Sequence, residues 1–176
     1  PGASRDFYER LYDSGKYRNL LLVRPDGRIS FRLKPLQEHG PQANSLDEAV
    51  FAGSPLLAVH QQALRGPVAR LTPALRLRNA GAPTLFYVHP VVDGPRVLGT
   101  LVLQLDFDRL MRVATEGEGL TKTGDTVLVQ RDGDHAVFVS VPRRSAAELL
   151  SPVSERGPGD PPAALRGLRG DTGSGL

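Results

Sequence analysis

The side chains that could do chemistry are few and scattered. His39, His60, His89 and His135 fall in what read as a loop, a helix, a strand and a hairpin, with no metal-ligand spacing among them. Cysteine is absent, which removes disulfides, zinc–thiolate sites and thiolate nucleophiles together. No H-E-x-x-H, G-x-S-x-G or phosphate-loop motif occurs. Gly117, Gly119 and Gly124 imitate a phosphate cradle in composition, but no strand–loop–helix frames them, and they read as a connection. The chain is therefore expected to bind rather than catalyse, without metal or cofactor.

A binding chemistry is better supplied. Arg76 and Arg78 alternate with Leu75 and Leu77, while Tyr87 and His89 alternate with Phe86 and Val88. In a strand each pair then shares one face. The planar fork of arginine suits a carboxylate or phosphate. If these faces look inward beneath a helical cover, Arg76, Arg78, Tyr87 and His89 would read a small anionic molecule. His60 on the cover helix and Asp106 at a strand end are further candidates. A plainer reading stands beside this one. The arginines would be the wet face of an edge strand, Tyr87 and His89 an outer face, His60 an interfacial residue and Asp106 a helix N-cap.

The elements that must position these residues follow from periodicity. Residues 6–13 have helical spacing and end at Ser14-Gly15. Asn19–Arg24 and Arg28–Leu33 flank Pro25-Asp26-Gly27, a hairpin whose second strand alternates Ile29, Phe31 and Leu33 with polar residues. Residues 34–44 read as loop. Ser45 and Glu48 have capping-box spacing, and Ser54-Pro55 opens a helix that Gly66 closes. Strands are expected at about 68–78, Thr84–Val92 and Arg96–Leu105, the last two joined through Asp93-Gly94-Pro95. Pro90 requires an edge or a bulge, because it cannot donate to a ladder. Asp106 caps a helix through Ala114, a second hairpin turns at Asp132-Gly133-Asp134, and residues 151–176 read as a loop-rich tail with a weak helical stretch at 162–169.

The expected fold class is α+β: a PAS-like, five-stranded antiparallel sheet with an N-terminal helix and covering helices, plus part of a second such lobe. The division runs 1–116, a connection at 117–124, and 125–176. With 176 residues, 40% hydrophobic and 23% charged, the chain can bury a core of its own. Its net charge is only +3, and its basic residues are dispersed arginines apart from Arg143–Arg144 and the lysines Lys16, Lys34 and Lys122. Nucleic-acid binding, which needs a clustered basic face, is excluded on that distribution. No apolar run reaches the roughly 18 residues of a membrane span, so any anchor is expected outside these residues.

Three stretches resemble double-Cache sensor domains. Tyr17–Ile29 (YRNLLLVRPDGRI) is similar to Y-x-D-L-F-L-I-D-x-x-G-x-V. Pro83–Leu105 is similar to P-x-x-F-x-x-x-P-V followed by G-x-x-x-G-x-L-x-L-Q-L. Gly119–Gly133 (GLTKTGDTVLVQRDG) is similar to G-L-G-x-T-G-E-T-Y-L-V-G-x-D-G between the two lobes. The resemblance spans about residues 15–142 and departs where the family has an aspartate and a tyrosine, here Thr72 and Arg76. It implies the extracytoplasmic (periplasmic) small-molecule sensing part of an inner-membrane receptor, flanked by membrane helices and able to form a homodimer. The implied output is a two-component histidine kinase, with a chemotaxis transducer, a diguanylate cyclase or a ligand-free pairing module as alternatives.

Overall fold

The computed structural model describes residues 10, 17–35, 43–66, 68–77, 83–115, 126–140, 148–153 and 163–170. The expected helix at 6–13, His39, Arg78 and the connection at 117–124 lie outside the described residues, Arg10 excepted. Two compact units form, Pro1–Leu110 and Met111–Leu176.

Unit 1 is built on a five-stranded antiparallel sheet in the order β2-β1-β5-β4-β3. Its strands are β1 (Tyr17–Val23), β2 (Ile29–Arg32), β3 (Arg70–Leu71), β4 (Phe86–Asp93) and β5 (Arg96–Leu105). Helix α1 (Leu56–Arg65) lies between β2 and β3 in sequence. This is the PAS-like α+β plan expected from the chain's periodicity. β5 holds the centre because two antiparallel partners are available to it: β4 through a hairpin at Gly94, at φ +56°, and β1 from far back in the chain.

Alternation assigns the two faces of the sheet. Leu21 and Val23 of β1, Thr100 and Val102 of β5, and Phe86, Val88 and Pro90 of β4 form the inner face through the pairs Leu21–Val102, Val23–Thr100, Val88–Val102 and Pro90–Thr100. On this face pack Leu56, Val59 and Ala63 of α1, one apolar stripe at helical spacing, together with Leu46, Val50 and Phe51. The Phe51 ring meets Phe86 edge-on at a centroid distance of 6.5 Å. Full burial of a side chain such as Phe86 stabilises the fold by about 1.5–3 kcal/mol.

The hairpins carry the expected turn chemistry with one correction. Gly27 adopts φ +85° and donates to the Arg24 carbonyl at 2.9 Å. A register shift opposite Leu22–Val23 then inserts one extra residue in β2, so Ile29 pairs with Val23 and Phe31 with Leu22. Ile29 and Phe31 consequently face opposite sides, where simple alternation put them together. The capping box is also altered. Ser45 Oγ donates to the Gly27 carbonyl at 3.2 Å, and Glu48 Oε1 accepts from Asn44 N–H at 2.8 Å. Only a single 3-10 turn, Ala49–Phe51, follows. Docking that loop onto the β1–β2 turn took precedence over capping a helix.

Two further residues shape the sheet. Asn19, 2% exposed, donates from Nδ2 to the Lys34 carbonyl and accepts at Oδ1 from Lys34 N–H, both at 3.0 Å, continuing the β1–β2 ladder with a side chain. Gly99 sits at a bulge where Val91 pairs with Gly99 and Val92 with Val97. A Cβ on Gly99 would stand 2.2 Å from the Val23 carbonyl oxygen. Pro90 is tolerated because the pairing of β3 reaches only Tyr87 and Val88, leaving β4 an edge at the proline.

Unit 2 contains β6 (Val129–Asp132) and β7 (His135–Phe138), turned at Gly133 with φ +58°. The segment after it is more ordered than its composition suggests. Phe138 N–H donates to Ser151, and Leu150 N–H to Phe138, so residues 150–153 run along β7 as a third line of backbone pairing. Helix α3 (Ala163–Leu168) follows, and the Arg131 guanidinium donates to its terminal Leu168 carbonyl at 2.8 Å. Helix α2 (Phe107–Thr115) spans the division between the units.

Replacing Gly99 by alanine is expected to cost about 2–5 kcal/mol, from overpacking plus a disfavoured backbone. Urea denaturation of the variant should show it, and a loss below about 0.5 kcal/mol, within the range of neutral surface changes, would contradict the close approach of β5 to β1.

Candidate functional site

The inner face of unit 1 is apolar except along one line. His60 projects from the apolar stripe of α1, between Val59 and Ala63, and is 1% exposed. Its Nδ1 shares a 2.8 Å hydrogen bond with Thr100 Oγ1 on the central strand. The hydroxyl donates when Nδ1 is bare and accepts when Nδ1 carries a proton. Nε2 is buried and has no partner at hydrogen-bond geometry. Burial holds the imidazole below its ordinary pKa of 6.5, because the charged form would lose its hydration. The carbonyls of Pro25 and Arg24 and the charge of Asp26 act the other way and are weaker.

Two further threonines, Thr72 and Thr84, are buried in unit 1. Thr72 N–H donates to the Phe86 carbonyl at 2.9 Å, and Thr72 Oγ1 accepts from Phe86 N–H at 2.9 Å. Leu75 and Thr84 then exchange backbone bonds of 2.9 and 2.8 Å. These contacts extend β3 irregularly past Pro73, which has no N–H to offer. Thr84 Oγ1, like His60 Nε2, is buried without a partner. An orphaned buried polar atom costs about 1–3 kcal/mol, and among the described residues of unit 1 His60 Nε2, Thr84 Oγ1 and Ser54 Oγ are such atoms.

The other candidates are placed differently. Tyr87 and His89 do share a face, with ring centroids 6.3 Å apart, but it is the face opposite α1. Their expected inward facing is thus reversed, because Phe86 and Val88 are the larger apolar pair and take the inside. His89 Nδ1 bonds the Pro90 carbonyl at 2.8 Å and is exposed. Arg76 is exposed between buried Leu75 and Leu77, so it too points away from the core. Asp106 caps α2 by accepting from Arg109 N–H at 3.3 Å, and lies 3.5 Å from Arg18 Nε. That ion pair is half exposed and contributes little. Among the described residues no group of three or more His, Cys, Asp or Glu could hold a metal ion, and no helix is long and apolar enough to cross a membrane.

Sequence reasoning singled out His60 but missed Thr100. The signal was present: Thr100 alternates with Val102 on the inward register of β5, and a polar residue there needs a partner. On the outer face a shallow groove of about 170 Å³ lies over Gly99, lined by Leu22, Ser30, Val91 and Leu98.

No described family matches the chain, and no curated protein matches its sequence. Solved structures do match its fold. One is the domain of a sensory box/GGDEF family protein from Vibrio parahaemolyticus, with a TM-score of 0.52 and 15% identity, covering 82% of this chain and 57% of that one. Another is the extracellular domain of the histidine kinase vpHK1S-Z8, with a TM-score of 0.51 and 16% identity, covering 82% of this chain and 53% of that one. The chain therefore has the fold of sensory domains and spans little more than half the length of either structure.

Two outcomes test the buried pair. Thr100→Val keeps the shape, strips His60 Nδ1 of its partner and is expected to cost about 1–3 kcal/mol in chemical denaturation. The pH dependence has a definite sign. The unfolded chain binds the His60 proton near pH 6.5 and the folded chain binds it only at lower pH, so the unfolded state holds more protons in between. The stability supplied by neutral His60 is whole above pH 6.5 and is lost as pH falls from there through the folded value. Denaturation midpoints measured against pH should lose this slope in His60→Gln.

Proposed function

We propose that this chain is the extracytoplasmic input part of a bacterial membrane signalling receptor, and that it works by binding a small molecule rather than by catalysis. Unit 1 is the complete sensing lobe and unit 2 is part of a second lobe of the same kind. What supports this reading is the β2-β1-β5-β4-β3 sheet under a helical cover, a fold that matches the two sensory domains above. The output that fits best is a histidine kinase, because one of those domains is the extracellular part of such an enzyme. A cyclase output of the sensory box/GGDEF type is the alternative. The location would be periplasmic, with attachment supplied by flanking membrane helices and signalling by a paired receptor.

Mechanistically, a ligand need only bind one packing of cover and sheet better than another to shift their populations. An anionic ligand would be read by Arg76, whose exposed guanidinium stands where the edge of the sheet gives way to the loop that precedes β4. Tyr87 and His89, on the outer face, would take part only if the ligand bound on that side.

A thermal-shift screen of organic acids, amino acids and amines tests this. A true ligand at about 100 times its Kd stabilises by about 2.7 kcal/mol. A carboxylate whose affinity drops in Arg76→Ala supports the anionic assignment, and unchanged affinity overturns it. Silence across the library favours a ligand-free pairing module, a reading already consistent with the filled interior around Phe51 and Phe86.

A further inference from the structure

We propose that His60 is an acid-operated latch: neutral, it ties α1 to β5 through Thr100, and when it takes a second proton it frees α1 from the inner face of the sheet. The stimulus would then be protons themselves, acting in the same lobe without the small-molecule ligand. The sensory reading above gives the opening its meaning, but the opening is a property of unit 1.

The geometry supplies each part. His60 sits midway along the ten-residue α1, and its Thr100 bond joins that helix to the central strand. The ring is 1% exposed, and Nε2 makes no hydrogen bond of good geometry; the carbonyls of Pro25 and Arg24 favour an imidazolium there, but by less than burial opposes it. A buried charge so incompletely compensated is relieved when the structure moves to hydrate it.

The surroundings offer little to hold that charge in place. β4 faces it with Phe86, Val88 and Pro90, and β1 with Leu21 and Val23, all apolar. β5 contributes the neutral Thr100, while the His89 ring lies on the opposite face of the sheet. β3 carries Arg70 and α1 its own Arg65, both exposed cations. In the β1–β2 turn Asp26 attracts the proton, yet it is half exposed and already shared with Arg24 and Arg28, each at 3.9 Å. Burial therefore opposes the proton, and the Pro25 and Arg24 carbonyls with one screened carboxylate favour it more weakly. The relief available is outward movement of α1.

Hydrogen exchange on the 176-residue chain at about pH 7.5 and about pH 5.5, corrected for intrinsic amide rates, reads the latch. Protection of Val59–Arg65 should fall at the acid pH, by up to about tenfold for a single histidine, while β4 keeps its protection. In the same samples the His60 ring, followed by NMR with labelled histidine, should titrate together with that loss. His60→Gln, which can still bond Thr100 but cannot titrate, should keep α1 protected at both pH values. The same substitution at His89 should leave the acid response intact. Unchanged α1 protection in the wild type, or an equal loss in His60→Gln, overturns the latch. Should His60→Gln fail to fold, coincidence of the wild-type ring titration with α1 opening decides the matter, and their separation overturns the inference. A ligand found in the thermal-shift screen while α1 protection stays pH-independent removes the latch and leaves the sensory reading standing. Acid opening without any ligand keeps the latch and removes the small-molecule part of the sensory reading.

Discussion

Everything in unit 1 hangs on β5 being hydrogen-bonded along both edges while one of its faces lies against α1. A strand so placed must satisfy its backbone on two sides and fill its inward register with groups that tolerate burial. β4 satisfies one edge through a short hairpin. β1 satisfies the other from about eighty residues away in sequence, which is why the β1–β2 turn, the cover loop and α1 all close over the same face. The approach is tightest at Gly99, where the Val23 carbonyl occupies the space of a side chain. The bulge there lets β5 bend across two partners whose registers do not otherwise agree.

Once β5 is central, its polar residues become consequential. Thr100 faces inward between Val23 and Pro90, a position where a hydroxyl needs a partner, and α1 provides His60. The pair is worth less than an apolar contact of the same volume, since one nitrogen is left unmatched. Its consequence is to make the seating of α1 depend on protonation. A helix held by Leu56, Val59 and Ala63 alone would be insensitive to pH.

The two faces of the sheet divide the remaining polar groups. Phe86 and Val88 go inward, so Tyr87 and His89 go outward, and Arg76 follows the same rule between Leu75 and Leu77. Burial of apolar area decides this before any ligand is considered, because each inward aromatic or aliphatic side chain stabilises by about 1.5–3 kcal/mol. The recognition proposed for Arg76 would therefore happen at the rim or outer side of unit 1, whereas the proposed latch at His60 lies within. In unit 2 the hairpin gains a third line of pairing from residues 150–153, and Arg131 reaches the end of α3.

The amino-acid sequence by itself determined the hairpin turns, the cover helix and the fold class, but not the single 3-10 turn at Ala49–Phe51 or the shortening of the strand expected at about 68–78 to Arg70–Leu71. Pro25-Asp26-Gly27, Asp93-Gly94-Pro95 and Asp132-Gly133-Asp134 each specify a turn through backbone preferences, and Leu56, Val59 and Ala63 specify the buried stripe of α1 by spacing. Such signals act over a few residues, so they survive without knowledge of the partner. Facing, register and pairing across the sheet did not. Whether Phe86 or Tyr87 turns inward, whether Ile29 and Phe31 share a side, and whether Ser45 caps a helix or bonds Gly27 all depend on what arrives from elsewhere in the chain. The tertiary structure alone brought His60 to Thr100, forty residues away, because the burial of α1 on β5 is a sum over many contacts and no single residue encodes it.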